Sequence, residues 1–476
     1  MGPVACTYPI VIRDHSRRHV FGVYMDDFDV TRDIDSVTPS PDTAPSLIKI
    51  DHLQFLLMRL PSLAVCEVLW DAFLDSVYPI YPLIDLEFFW LWHAEFWEAY
   101  GNCRDFNAFR PLILKNPSMI CLLLAVLCSG AAAAHKDVWA DPPLLTEDRH
   151  SVIFSLATGG QMALNACAFN DIPTLYTITS SLLLDLALGR PVESSGRKFY
   201  IKTMTVAARR VGINSVWTSD PATQQLCRRL WDHIRWLDSQ CCIAIGIASE
   251  EPFQQEIIGD KPRQPPAISD SNGDIAALLS YARAEVACFE HHIISHVRGI
   301  ILDDPRTRAY NGLQLEDLNR ILHGIKAQMG QLPEWDDLDL VKIDVEWAKS
   351  VIDMLSLEAV VVDLVPNVHK SLHSKNQDNW TIFCISANKY LQAYLALATD
   401  TRFERYSWFL SHYRAAFLQC LYLQLIGLSM WPGDGETATT VDEMMQHMEN
   451  RQTSECEDTE TFKKLKTIYV RVLRVN

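Results

Sequence analysis

Two short segments hold residue types whose spacing could support chemistry. In "EVACFEHHIISH", residues 285–296, His292 and His296 are four apart and share one helical face, and Glu285 lies seven residues before His292 on that face. Imidazole and carboxylate are ligands that zinc accepts. The spacing is not that of the H-E-x-x-H motif, because no glutamate follows the first histidine at the required place. We therefore expect no metal site and favour core or partly exposed histidines, with these three residues as the weak metal candidate.

The second segment, "RRLWDHIRWLDSQCCIAIG", spans residues 228–246 and could be a nucleic-acid helix, a redox or metal site, or a core helix. On a helix the apolar residues of this segment continue a stripe that starts at the preceding Cys227; the stripe consists of Cys227, Leu230, Trp231, Ile234, Leu237 and Cys241. The arginines fall mostly on other faces. Cys241 and Cys242 point about 100° apart on a helix, so they cannot easily chelate one metal together. A core helix is the best of the three interpretations.

Asp238 is the unusual residue of that helix, because it shares the face of Trp231 and Ile234. An unpaired carboxylate in apolar surroundings is costly. We therefore expect Asp238 to have a partner, such as an arginine from the same or a neighbouring helix.

Bulk composition limits the classes of function. The chain has 476 residues, 49% of them hydrophobic, and its formal net charge is −17. Such a chain repels a phosphate backbone unless it has a concentrated basic patch, so we expect no direct binding of nucleic acid. The 13 cysteines include no C-x-x-C pair, which indicates reduced, mostly buried thiols and not a disulfide scaffold.

Motifs for catalysis or cofactor binding are missing from the sequence. It has no G-x-S-x-G elbow, no G-x-G-x-x-G and no phosphate-binding loop. We assign no catalytic or cofactor-binding residue and expect no cofactor. Catalysis by positioning a substrate in an aromatic-lined helical cavity would leave no sequence motif, however. An enzyme therefore remains an alternative.

Helical periodicity dominates after residue 47 and predicts an all-α, multi-helix, bundle-like domain over residues 47–432. Its later helices are expected near residues 273–301, 314–329, 344–373, 380–399 and 404–430. A flexible N-terminal arm and linker (1–46) precedes it, and an acidic-to-basic, partly helical tail (433–476) follows. Two uncharged runs, 116–134 and 415–432, fall short of about 20 predominantly apolar residues, so we predict buried core helices and no membrane span.

Three blocks of sequence together resemble the fungal-specific transcription factor domain, which is the middle homology region of zinc binuclear-cluster regulators. The first is "LPSLAVCEVLWDAFLDSVYPIYPLID", a leucine–proline start followed by a helix and a proline-rich corner that ends at Asp85. The second is "FYIKTMTVAARRVGIN", with its stop at Gly212. The third is the helix discussed above, whose structural signature is formed by Arg228, Arg229, Trp231, Asp238 and Gly246.

The resemblance implies a nuclear transcription regulator of the kind found in fungal secondary-metabolite gene clusters. Such regulators carry an N-terminal cluster of six cysteines that binds two zinc ions and contacts DNA. This chain has only Cys6 upstream of the helical region. We therefore expect it to act through a DNA-binding transcription factor or the transcription machinery, with a small-molecule effector as a candidate regulator. Two alternatives remain: an enzyme built on a repurposed domain of this type, and a truncated regulator whose DNA-binding exon lies upstream.

Overall fold

The computed structural model describes residues 48–58, 60–102, 110–189, 195–215, 221–245, 275–299, 305–331, 343–374, 377–431, 435–452 and 460–475. All regular secondary structure in these ranges is helical, and none of their residues forms a β-strand. The predicted all-α class is confirmed. The predicted arm, 1–46, lies outside the described residues.

The N-terminal half of the chain forms a set of nine α-helices within the described ranges, followed by a short 3₁₀ helix at Ile213–Ser215. They are α1 (Ile50–Leu57), α2 (Leu63–Ala72, extended by a π turn at Phe73–Val77), α3 (Leu86–Asn102), α4 (Arg110–Lys115), α5 (Ser118–Ala133), α6 (Lys136–Ala140), α7 (Arg149–Ala166), α8 (Leu175–Leu188) and α9 (Ser195–Val211).

The second set begins with the helix that contains the third sequence block. It comprises α10 (Pro221–Ile245), α11 (Ile275–Gly299), α12 (Pro305–Met329), α13 (Val345–Ser374), α14 (Gln377–Thr399), a 3₁₀ segment (Thr401–His412), α15 (Arg414–Met430), α16 (Gly435–Gln452) and α17 (Glu460–Val475). Helix α11 packs against α10, α12 and α13, and α15 packs against α10, α14, α16 and α17.

Helix α5 lies at the centre of the first set and packs against α2, α7 and α8. Every residue of α5 except Ala132 is buried, which its uncharged sequence permits. The core helix predicted for residues 116–134 is therefore confirmed. In the described part of the chain, no helix has the length and apolar character needed to cross a bilayer.

Two of the expected helix boundaries are wrong. Helix α12 begins at Pro305 and not near 314, because its first residues are mostly polar and show no apolar period, while proline is well suited to the first helical position. The helix expected over 404–430 is divided at Tyr413, whose φ of −101° and ψ of 35° are not helical. In the preceding 3₁₀ segment four buried side chains recur every third residue, as three residues per turn require; they are Phe403, Tyr406, Phe409 and His412. Leu410, next to Phe409, is buried as well.

The last two helices extend the body of the domain. Helix α16 packs against α14 and α15, and α17 packs against α15. In α17, Phe462 and Leu465 are buried while Lys463 and Lys464 are exposed. Helix α17 is thus docked through an apolar face, with Lys463 and Lys464 pointing outwards.

Gly130 allows α5 and α2 to approach closely. A β-carbon built at this position would lie 2.0 Å from the backbone oxygen of Leu69. Because the obstacle is backbone, no side-chain rotation can relieve the contact, and the two helices would have to separate.

We expect Gly130→Ala to lower the free energy of unfolding by about 1–3 kcal/mol, as overpacking of a rigid core does. The matched control is Gly324→Ala in α12, where nothing lies within 4 Å of the added carbon. That change should stabilise the protein by about 0.5–1 kcal/mol, since alanine is the better helix former. Urea unfolding of both variants measures the difference, and equal effects would contradict the close-approach argument.

Candidate functional site

Helix α10 presents different residues of the third sequence block to the core and to the surface. Trp231, Ile234 and Cys241 are buried, whereas Arg228 is exposed. The expected apolar stripe therefore faces the core. Gly246 lies outside the described residues.

Asp238 is partnered, as expected, and one of its partners is His291 of α11. Its Oδ2 atom lies 3.4 Å from His291 Nε2, and the same nitrogen lies 3.0 Å from the carbonyl oxygen of Arg235. Burial, with a smaller contribution from the charge of Arg235, lowers the pKa of His291 to about 4. At neutral pH the imidazole is uncharged, and its Nε2–H donates to these oxygens.

A buried arginine on α11 lies at the centre of an aromatic cluster, which we call the Arg283 cluster: Tyr81, His233, Trp236 and Arg283. The guanidinium carbon is 4.1 Å from the ring centroid of Tyr81 and 4.6 Å from that of Trp236. Arg283 is only 5% exposed. No salt bridge between Arg283 and a carboxylate is found in the described part of the chain, so its charge is stabilised mainly by ring faces and weak hydrogen bonds.

The Arg283 cluster joins elements that are far apart in the sequence. Arg283 Nη1 donates to the carbonyl oxygen of Ile80 at 3.5 Å, and Nη2 lies 3.4 Å from His233 Nδ1. Burial, reinforced by the charge of Arg283, holds the pKa of His233 well below its ordinary value. His233 is therefore neutral, with Nδ1 as the acceptor for Arg283.

Two fully buried glutamates are held by the same helix α10 that supplies His233 and Trp236, and we call them the glutamate pair: Glu290 of α11 and Glu358 of α13. Neighbouring residues of α10 hold them. Ser239 Oγ donates to Glu290 Oε2 at 2.5 Å, and Gln240 Nε2 donates to Glu358 Oε1 at 2.9 Å. Burial raises the pKa of Glu358 to about 7. Burial and the neighbouring Glu358 raise the pKa of Glu290 well above its ordinary value.

Many polar atoms of this region have no hydrogen-bond partner among the described residues. They are Tyr81 Oη, His233 Nε2, Trp236 Nε1, Gln240 Oε1, Arg283 Nε, Glu290 Oε1, Glu358 Oε2 and Tyr390 Oη. Buried polar atoms in native proteins nearly always have a partner, which is ordered water or a ligand when it is not protein. We call the Arg283 cluster and the glutamate pair together the polar layer.

The glutamate pair should make stability depend on pH. A carboxyl group whose pKa is raised in the folded state favours folding below its unfolded pKa, and this contribution is lost as pH rises through the folded value. The pKa of Glu358 rises from an ordinary 4.5 to about 7 on folding. The free energy of unfolding should therefore fall by about 3 kcal/mol across that pH range.

Glu358→Gln should therefore flatten the curve of unfolding free energy against pH between pH 5 and 8, because the amide cannot ionise. Urea unfolding at several pH values measures this curve. The control is Glu443→Gln on the exposed face of α16, which should follow the wild-type curve. If the Glu358→Gln and wild-type curves run parallel, the assignment is wrong.

The candidate metal site, Glu285, His292 and His296, lies only partly within the described residues. The side chains of Glu285 and His292 are half-buried, and the ring of His292 lies 5.3 Å from that of Tyr310. The side chain of His296 lies outside the described residues. Within those residues, no group of three or more histidine, cysteine or acidic side chains is arranged to hold a metal ion.

An open surface groove of about 470 Å³ lies between the start of α3 and the start of α10. Its lining comes from the end of the first sequence block, the start of α3 and the start of α10, namely Tyr78, Ile84, Asp85, Leu86, Glu87, Trp90, Ala222, Gln225, Leu226 and Arg229. Asp85 also caps α3, since its Oδ1 accepts a hydrogen bond from the backbone N–H of Phe88 at 3.0 Å. The corner that ends the first block thus fixes the direction of one groove wall.

Comparison with curated proteins finds two fungal relatives. The chain is 26% identical over 442 residues to Transcription factor macR of Penicillium terrestre, a match that covers 82% of this chain and 51% of macR. It is 30% identical over 271 residues to Transcription factor yanR of Aspergillus niger, covering 51% of this chain and 32% of yanR. The chain is a relative of fungal transcription factors. The chain spans about half the length of macR and about a third of the length of yanR. No protein-family model matches the chain.

The fold also occurs among solved structures. A chain in the structure of the K. lactis CBF3 core superposes with a TM-score of 0.52 over 89% of this chain and 88% of that one, at 10% identity. At this identity the likeness concerns the fold alone.

The sequence analysis missed the polar layer, although a signal was present. Glu290 and Glu358 each stand on an apolar helical stripe, with Ile293 and Ile294 after the first and Val361 and Val362 after the second. A charged residue at such a position must be neutralised or paired. Which residues share its surroundings depends on how α10, α11 and α13 pack, and periodicity within one helix cannot show that.

Proposed function

We propose that this chain is a nuclear transcription regulator, and that it controls genes of a fungal secondary-metabolite cluster. The observation that supports this proposal best is the similarity to Transcription factor macR, which runs over 82% of the chain. The all-helical body is consistent with it. The assignment to secondary metabolism and to the nucleus rests on the resemblance to the middle homology region.

In the proposed mechanism the chain acts through a DNA-binding transcription factor. The net charge of −17 disfavours direct contact with DNA. The groove between α3 and α10 is our proposed contact for the partner, because apolar walls with acidic and basic residues at the rim suit an apolar anchor flanked by charges. A tight, site-selective complex of the purified chain alone with promoter DNA would contradict this mechanism.

The polar layer supports the further proposal of a small-molecule effector. Its unpaired donors and acceptors are buried, and a polar molecule could satisfy several of them at once. Binding there would connect α10, α11 and α13, and α10 also supplies one wall of the groove. An effector could thereby change the affinity for the partner.

Deletion of the gene tests the regulatory role against the enzymatic alternative. We expect transcripts of several clustered biosynthetic genes to fall together, because a regulator acts on all its targets. Transcript levels and accumulated metabolites are measured in the same cultures. Unchanged transcripts with one accumulated intermediate would favour the enzyme and refute the proposal.

Charge reversal in the groove tests the proposed contact. Glu87 is exposed on the groove wall, so Glu87→Lys should reduce the target transcripts several-fold in a complemented deletion strain by disturbing charge complementarity. The matched control, Glu443→Lys on the exposed face of α16, should restore normal transcripts. Both proteins must accumulate equally, and full activity of Glu87→Lys would exclude this groove face.

A further inference from the structure

Two buried cysteines from different helices lie in direct contact. The Sγ atom of Cys121, in α5, is 3.5 Å from the Sγ atom of Cys167, at the C-terminal end of α7. The two residues are 46 positions apart in the sequence. Cys121 is fully buried and Cys167 is 3% exposed. A disulfide would need the sulfur atoms to approach to about 2.05 Å, a movement of about 1.5 Å from the observed 3.5 Å.

The two thiols are chemically different. Cys121 donates its S–H to Cys167. Accepting this hydrogen bond lowers the pKa of the Cys167 thiol, whereas burial raises the pKa of Cys121 well above its ordinary value. Since the thiolate is the reactive form, Cys167 is the better nucleophile and Cys121 is poised to react second.

Cys167 is close to the surface, although its own side chain is covered. It ends α7, and the turn that follows contains Ala168 with a left-handed φ of 51° and the exposed residues Asn170 and Asp171. Helix ends and tight turns open locally at a lower free energy than the core. Opening of this turn gives a small oxidant access to Cys167, while Cys121 stays anchored in α5.

We propose that Cys121 and Cys167 are an oxidisable thiol pair that forms an internal disulfide with a peroxide. The Cys167 thiolate attacks hydrogen peroxide, giving a sulfenic acid and releasing hydroxide, which takes up the thiol proton to form water. The Cys121 sulfur then attacks the sulfenic sulfur, the S–O bond breaks, and a second water molecule leaves with the proton of Cys121. Overall, two thiols are oxidised and one peroxide is reduced to two water molecules.

The disulfide would join the central helix α5 to the turn between α7 and α8. This turn is already a junction, because the backbone N–H of Lys49 donates to the carbonyl oxygen of Ala166 at 2.8 Å and Arg210 Nη1 donates to that of Asn170 at 2.9 Å. A cross-link that closes a long loop restricts the unfolded chain. The oxidised protein should therefore unfold at a temperature several degrees higher than the reduced protein.

Peptide mapping of the full-length protein tests the pair. The reduced chain is exposed to hydrogen peroxide, denatured in an alkylating agent and digested, and a peptide linking Cys121 to Cys167 is expected. Cys128→Ser is the matched control, since Cys128 is also buried in α5 but contacts the carbonyl oxygen of Ile153; it should retain the cross-link. Cys121→Ser should abolish the cross-link and leave Cys167 as a sulfenic acid that dimedone can trap.

Thermal unfolding of the wild-type protein gives a second measurement that does not depend on any variant's folding. The midpoint should rise on oxidation and return after treatment with dithiothreitol. Recovery of both cysteines as separately alkylated thiols, or over-oxidation of Cys167 without a cross-link, would overturn the proposal.

Discussion

The position of the Arg283 guanidinium between Tyr81 and Trp236 is the constraint that relates the two sets of helices. Tyr81 belongs to the corner between α2 and α3, Trp236 to α10 and Arg283 to α11, so one cation fixes three regions. A charge can be buried at this depth only if its surroundings stabilise it. Two ring faces, the Ile80 carbonyl and a neutral histidine do so here. The corner, α10 and α11 must therefore keep their relative positions.

Neutral forms of titratable groups are common among the buried histidines and glutamates of the described residues. His291 and His412 have pKa values lowered to about 4 by burial, and burial raises the pKa of both members of the glutamate pair. Proton uptake by the histidines and proton loss by the glutamates therefore oppose folding at opposite ends of the pH range. Among the described residues, the buried charges include Arg283 and the Arg197–Asp185 ion pair.

The buried layer and the surface groove share helix α10. His233, Trp236, Ser239 and Gln240 of α10 face the layer, while Ala222, Gln225, Leu226 and Arg229 line the groove one or more turns earlier. A single rigid helix thus connects an internal set of polar groups with a surface that could receive a partner. Coupling between the two needs no long pathway, because a shift of α10 would reach both.

The sequence alone determined the all-α class, the buried central helix and the stripe of α10, because each depends on helical periodicity within one segment. It also indicated that Asp238 needs a partner. Only the tertiary structure decided that this partner includes His291, that Arg283 lies between Tyr81 and Trp236, that Glu290 and Glu358 form a pair, and that Cys121 meets Cys167. Each of these contacts joins residues 40 or more positions apart. The crossing and depth of the packed helices set these distances, and periodicity within one helix does not encode them.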